Sequence, residues 1–209
     1  MRRSARIVTL CVQGKPPKHP SQNRARIALL RRAVQELSQL KSWAPIDALV
    51  LPAGYFRIRQ FVGDLSLEER HRRIAREPIV KAALKCCVEL EAYSPGALLI
   101  FGVDSVHPST QLSGDQLGIV LNAKKVLTVT GKIFPTANDT EESDRWFVPA
   151  YEDYGDPNRV ITLPNRQSAI LCVCYDTFGL SEGPGRATTR TTAIKGLFYA
   201  DQYFERTPS

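Results

Sequence analysis

Two short apolar runs and the amphipathic segment between them decide the fold. The first run is R-I-V-T-L-C-V at Arg6 to Val12, and the second is D-A-L-V-L at Asp47 to Leu51. Both have the length and the branched apolar residues of a buried strand. A helix is predicted between them, from Asn23 to about Lys41, because apolar residues recur at helical spacing at Ile27, Leu30, Val34 and Leu37. This order predicts neighbouring strands joined by a helical crossover.

The rest of the chain extends this unit. A second long helix is predicted over Leu67 to Tyr93, and Pro78 should break or kink it because proline lacks the amide hydrogen that the helix needs. Further strands are predicted at Ala97 to Val103, Leu117 to Leu121, Lys125 to Thr130, Val160 to Leu163 and Ala169 to Cys174. The sequence therefore predicts a single α/β domain over residues 1–209, with mixed sheets and outer helices.

Composition and charge exclude several classes of protein. The chain has 209 residues and is 43% hydrophobic, yet no apolar run approaches the length of about 18 residues that spans a membrane. The net charge is +7, but the basic residues are dispersed and no aromatic-interleaved basic motif accompanies them, so a nucleic-acid partner is not expected. The chain has five cysteines: Cys11, Cys86, Cys87, Cys172 and Cys174. An odd number does not suggest a disulfide framework and favours a location in the reducing cytoplasm.

Two side chains that follow strands could carry chemistry. Cys174 ends the run S-A-I-L-C-V-C, and Lys132 ends the run V-L-T-V-T-G-K. A cation beside a thiol lowers the pKa of the thiol and stabilises a developing oxyanion. Taken alone, each residue also has an ordinary explanation, because free cysteines are usually small buried hydrophobes and lysines often extend their ammonium group to solvent.

The order of these segments resembles the nitrilase superfamily of carbon–nitrogen hydrolases. D-A-L-V-L-P at Asp47 to Pro52 is similar to the second strand of that family, and Gly102 is similar to the glycine that closes its third strand. Lys132 in G-K-I-F-P-T matches the catalytic lysine, and Cys174 in C-Y-D matches the nucleophile. The resemblance extends from about residue 6 to about residue 182.

The resemblance implies an α-β-β-α sandwich of mixed sheets with outer helices. It also implies cleavage of a small-molecule amide, nitrile or N-carbamoyl group through a thioester on Cys174, with Lys132 stabilising the tetrahedral intermediate. Glu142 lies near the position of the substrate-positioning glutamate of that family, and the loops Tyr55 to Val62 and Asn138 to Tyr154 should shape the pocket. No cofactor is implied, and self-association is expected.

The sequence departs from the family pattern in two places. The family continues its second strand into Pro-Glu, where the glutamate is the general base, but this chain has Pro52-Ala53. Glu142 is the best replacement, and Asp104 is a poorer one. Beyond Asp176 the sequence stops matching, so the second sheet is expected to be incomplete. Three hypotheses follow: a hydrolase, a catalytically impaired binding module and, as the weakest, a nucleic-acid binder.

Overall fold

The computed structural model describes residues 4–13, 17–40, 44–59, 62, 65–106, 113–132 and 159–173. The helices are a short 3-10 helix at Pro20–Gln22, α1 at Asn23–Gln39, α2 at Leu67–Arg76 and α3 at Pro78–Tyr93. The strands are β1 at Ile7–Thr9, β2 at Ala48–Val50, β3 at Phe56–Ile58, β4 at Leu98–Val106, β5 at Ser113–Leu121, β6 at Val126–Gly131, β7 at Val160–Thr162 and β8 at Ser168–Ile170. Among the described residues, no helix is both long and apolar enough to cross a membrane.

The larger sheet is mixed, with the order β1-β2-β4-β5-β6. Strands β1, β2 and β4 are parallel neighbours, whereas β4, β5 and β6 form antiparallel pairs. The predicted helical crossover is confirmed, because α1 connects the parallel strands β1 and β2. The prediction of a buried first strand is wrong: β1 lies at the edge of the described sheet, and Ile7 is 54% exposed.

The helices cover one face of this sheet and bury the main core. The predicted apolar face of α1 contributes Leu30, Val34 and Leu37, which belong to one cluster with Leu99 and Phe101 of β4. The predicted break at Pro78 is also confirmed, since α2 ends at Arg76 and α3 starts at Pro78. Glu77 between them has an extended ψ of 132°, because a residue before proline is sterically disfavoured from helical geometry.

The β7–β8 hairpin lies against the opposite face and forms a second sheet. Its apolar side chains pack on those of the larger sheet, in a cluster formed by Ala48, Leu98, Val120, Ile161, Leu163 and Leu171. The described residues thus form helices, a mixed sheet and a two-stranded second sheet, which confirms the predicted mixed α/β class. No described residue forms a helix outside the second sheet.

Strand β3 falls in a segment that the sequence predicts to be a loop. Residues 56–58 pair with β4, and Phe56 packs edge-on against Phe101 with ring centroids 5.4 Å apart. The outer edge of β3 is held by the side chain of Asn23, which donates to the carbonyl oxygen of Arg57 (2.6 Å) and accepts from the amide of Arg57 (2.9 Å). The loop prediction for Tyr55 to Val62 is therefore wrong at these positions.

Candidate active site

The chain leaves the sheet between β2 and β3 and crosses the face opposite the helices. Strand β2 pairs with residues 98–100 of β4, and β3 pairs with residues 103–105. Residues 51–55 therefore lie opposite only two residues of β4, and they bulge out of the sheet. The amide of Leu51 donates to the carbonyl oxygen of Ile100 (2.8 Å), and the amide of Gly102 donates to that of Pro52 (3.2 Å), so the bulge is held to β4 at the end that follows β2.

Gly102 is required for this crossing. A Cβ atom on Gly102 would lie 2.5 Å from the Cα atom of Ala53 and 2.5 Å from the nitrogen of Gly54. Both atoms belong to the backbone, so no side-chain rotation relieves the collision. Gly54 itself has a φ of +61°, a conformation that glycine adopts without steric cost. Ala53 is thereby placed on the face that the second sheet covers.

Lys132 lies on the same face, at the end of β6. Its amide donates to the carbonyl oxygen of Gln116 (2.8 Å), which extends the β5–β6 pairing by one residue beyond the pair Leu117 and Gly131. Side chains alternate along a strand, so Lys132 shares a face with Thr130, opposite the core residue Val129. Lys132 is only 2% exposed, and a buried ammonium group is stable only when polar or charged groups compensate it.

One row of side chains connects Lys132 to β4. Asp104 pairs with Gln116 across β4 and β5, and Gln116 faces Lys132 across β5 and β6. With two strand spacings between them, the Cα atoms of Asp104 and Lys132 are roughly 10 Å apart. The row lies directly beyond Gly102 and Gly118, which pair with each other one step earlier on the same face.

Asp104 has two contacts that position its carboxylate. Its Oδ2 atom lies 3.7 Å from Nη1 of Arg57, and the two side chains are 15% and 7% exposed. The same Oδ2 atom lies 2.7 Å from the position that a Cβ atom would occupy on Gly54. The carboxylate therefore lies directly against the backbone that follows Ala53.

Arg159 joins the two sheets beside Lys132. Its guanidinium group donates to the carbonyl oxygens of Gly131 and Leu171, the latter at 3.2 Å, and its own carbonyl accepts from the amide of Leu171 (2.9 Å). Arg159 is 1% exposed. It therefore ties the residue before Lys132 to Leu171, which directly follows β8. The sequence does not reveal this role, since an arginine that precedes an apolar strand usually reaches solvent.

A cavity of about 380 Å³ lies between the two sheets. Ala53, Gly102, Gly118, Cys172 and Val173 belong to its lining, and most of the remaining lining is aliphatic. Val173 is close enough to the larger sheet that a Cβ atom on Gly118 would lie 2.8 Å from its Cγ2 atom. Val173, the last described residue of this segment, thus lies over the face that carries Gly118.

Of the predicted site residues, Lys132 is placed by the structure, whereas Cys174 and Glu142 lie outside the described residues. The thiols of Cys86 and Cys87 belong to the helix-side core. Burial raises the pKa of both, that of Cys87 to about 12, so neither is suited to act as a nucleophile near neutral pH. Cys11 is exposed, and Cys172 is partly buried. Among the described residues, no cluster of side chains could hold a metal ion.

No protein-family model matches the sequence, and no curated protein matches it. Among solved structures, the chain is similar to an amidase from Nesterenkonia sp., with 16% identity and a TM-score of 0.46 over 82% of this chain and 56% of that one. A variant of the Nesterenkonia AN1 amidase, described as a member of the nitrilase superfamily, has 15% identity and a TM-score of 0.46 over 83% of this chain and 57% of that one. A glutamine-dependent NAD(+) synthetase from Cytophaga hutchinsonii has 12% identity and a TM-score of 0.40 over 76% of this chain and 23% of that one. The chain thus spans little more than half the length of the amidases.

Proposed function

We propose that this chain hydrolyses a non-peptide carbon–nitrogen bond of a small amide, nitrile or N-carbamoyl compound through a thioester on Cys174. The observation that carries the proposal is the buried Lys132. Its side chain belongs to the covered face of the sheet, at the end where the bulge presents Ala53. Arg159 ties the preceding residue to Leu171, three positions before Cys174 in the sequence.

The chemistry needs three roles. The thiolate of Cys174 attacks the substrate carbon, and the ammonium group of Lys132 stabilises both the thiolate and the oxyanion that forms. With an amide or N-carbamoyl substrate, a carboxylate takes the thiol proton, returns it to the leaving nitrogen and then activates the water that hydrolyses the thioester. With a nitrile, the thiol and then one water molecule add to the carbon before the nitrogen leaves as ammonia, so two water molecules are consumed. By its resemblance to the nitrilase superfamily, Glu142 is a candidate for positioning the substrate and for this proton transfer. Side chains alone suffice for the reaction.

Ala53 favours a second candidate function. By its resemblance to the nitrilase superfamily, Ala53 stands where that family has its general base. Alanine cannot transfer a proton, and the loss of such a group typically costs about 10² to 10⁴ in rate. The alternative is an impaired member of the same fold that binds a small amide, or another protein, without turning it over. The cavity between the sheets would remain available for binding.

The test is ammonia release from a panel of short amides, nitriles and N-carbamoyl compounds. We expect Cys174→Ala to abolish release, while Cys11→Ala, which removes an exposed thiol, leaves it unchanged. Unchanged release in a folded Cys174→Ala variant would exclude the thioester mechanism. If the wild-type chain releases no ammonia but Ala53→Glu does, only the base has been lost. If both are inactive, the binding function is favoured.

A further inference from the structure

We propose that the cavity between the two sheets binds the aliphatic part of a small molecule, an unbranched chain of roughly ten carbon atoms. The inference goes beyond the proposed function, because it concerns binding alone and uses only described residues. The cavity has a volume of about 380 Å³, within the range of about 300 to 1,000 Å³ that is typical of small-molecule sites. An engineered apolar cavity of about 150 Å³ takes up benzene, so this larger cavity accommodates a longer hydrocarbon.

The lining of the cavity favours hydrocarbon over polar groups. The covered face of the larger sheet lies on one side of the cavity, and the β7–β8 hairpin with the residues that follow it lies on the other. Among the described lining residues, none has a charged, hydroxyl or amide side chain, and the only side-chain heteroatom is the sulfur of Cys172. A polar group that entered would lose its hydration without a side-chain partner, whereas an aliphatic chain is stabilised by leaving water.

Small residues on the covered face leave the gap between the sheets unfilled. Ala48, Gly102 and Gly118 lie on this face and line the cavity. Val50 and Ile100 also line it, and both are only partly buried although they belong to the inner strands β2 and β4. Side chains of two stacked sheets normally interdigitate and cover each other. The apolar surface that remains uncovered at these two residues is therefore available to a ligand.

The cavity is elongated across the strands. Its lining includes Ile7 of β1, Val50 of β2, Ile100 of β4 and Gly118 of β5, and these four strands are consecutive neighbours in the sheet. Three strand spacings correspond to roughly 14 Å. At one end Ile7 is 54% exposed, and at the other a Cβ atom on Gly118 would lie 2.8 Å from Val173. A long cavity that reaches the surface at β1 and narrows at β5 suits an extended chain better than a compact ring.

The experiment is titration calorimetry of the full chain with the straight-chain alcohols 1-hexanol and 1-octanol. Each buried methylene raises the affinity about fourfold, so we expect 1-octanol to bind about fifteenfold more tightly than 1-hexanol. Burial of apolar surface should also give a negative heat-capacity change on binding. If 1-octanol does not bind saturably, or if affinity does not rise with chain length, the inference is overturned. That result is expected if residues 174–209 or a second copy of the chain fill the cavity.

Two matched variants locate the bound chain. Val50→Phe enlarges a side chain that lines the cavity, whereas Val88→Phe makes the same change on α3, where Val88 is 51% exposed and outside the cavity. Because the larger ring displaces about two methylenes of the ligand, we expect Val50→Phe to weaken 1-octanol binding by about tenfold or more. Val88→Phe should leave it unchanged. Unchanged binding in Val50→Phe, or an equal loss in both variants, would place the alcohol elsewhere and overturn the inference.

A second measurement needs no variant. Cys172 lines the cavity, whereas the exposed Cys11 does not. We expect 1-octanol to slow the labelling of Cys172 by iodoacetamide, with the same midpoint concentration as in calorimetry, and to leave the labelling of Cys11 unchanged. If Val50→Phe does not fold, this protection decides, and its absence overturns the inference. Neither readout involves turnover, so failure here is distinct from a failure of the proposed function, which ammonia release tests.

Discussion

The replacement of Gly102 by alanine tests the backbone crossing on which the site depends. The added Cβ atom would lie 2.5 Å from two backbone atoms, the Cα of Ala53 and the nitrogen of Gly54. Neither atom can rotate away, so either the bulge or β4 must move. The amide of Gly102 also donates to the carbonyl oxygen of Pro52 (3.2 Å), and the same displacement would weaken that bond.

Gly118→Ala is the matched control. Gly118 pairs with Gly102, and its Cβ atom would lie 2.8 Å from Cγ2 of Val173 and 3.2 Å from Cδ2 of Leu171. These atoms end side chains that can change rotamer. Overpacking of a core typically costs about 1 to 3 kcal/mol. We therefore expect the free energy of unfolding to fall by about 3 kcal/mol in Gly102→Ala and by about 1 kcal/mol in Gly118→Ala.

Urea denaturation measures this difference. With a slope of roughly 2 kcal/mol per molar urea, a loss of about 3 kcal/mol lowers the midpoint by about 1.5 M, whereas the control should lower it by about 0.5 M. The slopes should stay equal, because both variants expose the same surface when they unfold. A Gly102→Ala midpoint within about 0.2 M of the wild type, or a larger loss in Gly118→Ala, would refute the crossing of Ala53 and Gly54 over β4.

Two further predictions concern the buried side chains of Arg159 and Tyr55. Arg159→Met removes the hydrogen bonds to the carbonyls of Gly131 and Leu171. Because hydrogen bonds from charged groups are worth about 1.5 to 3 kcal/mol each, we expect urea denaturation to show a free energy of unfolding lower by about 3 kcal/mol. A decrease below about 1 kcal/mol would contradict the bridge between the sheets. Burial raises the pKa of Tyr55 to about 12 from its ordinary value of 10.0, so its neutral form stabilises the fold fully below pH 10 and this stabilisation is lost as the pH rises toward 12. Relative to Tyr55→Phe, the free energy of unfolding of the wild type should fall by about 1 kcal/mol by about pH 11. If the free energies of unfolding of the two proteins change in parallel over that range, the raised pKa of Tyr55 is refuted.

The helices and the hairpin of the larger sheet follow from local patterns. The apolar repeat at Leu30, Val34 and Leu37 marks the buried face of α1, and Pro78 marks the boundary between α2 and α3. In each of these segments, the pattern that predicts the element lies within the element's own residues. The apolar strands β4, β5 and β6 were found for the same reason, although β4 and β5 extend beyond their predicted ends.

The features that fail to appear in the sequence depend on distant partners. Strand β3 has three residues with Arg57 in the middle, which does not read as an apolar run, and it becomes a strand because it pairs with β4. The first strand looked buried because its residues are apolar, yet its position at the edge is set by the order of the sheet. The location of Asp104 likewise depends on register, because only the pairing of β4 with β5 aligns it with Gln116 and Lys132.

The pH dependence of iodoacetamide labelling at each cysteine, read by peptide mass spectrometry, tests the central claim most directly. If Lys132 activates Cys174, Cys174 should label fastest, with a midpoint below the ordinary thiol value of about 8.5 that rises in Lys132→Ala. Cys86 and Cys87 serve as internal references, because burial raises the pKa of both thiols and should leave them unlabelled in the folded chain. Labelling of Cys174 no faster than that of the exposed Cys11, with no change in Lys132→Ala, would contradict an activated nucleophile at this site.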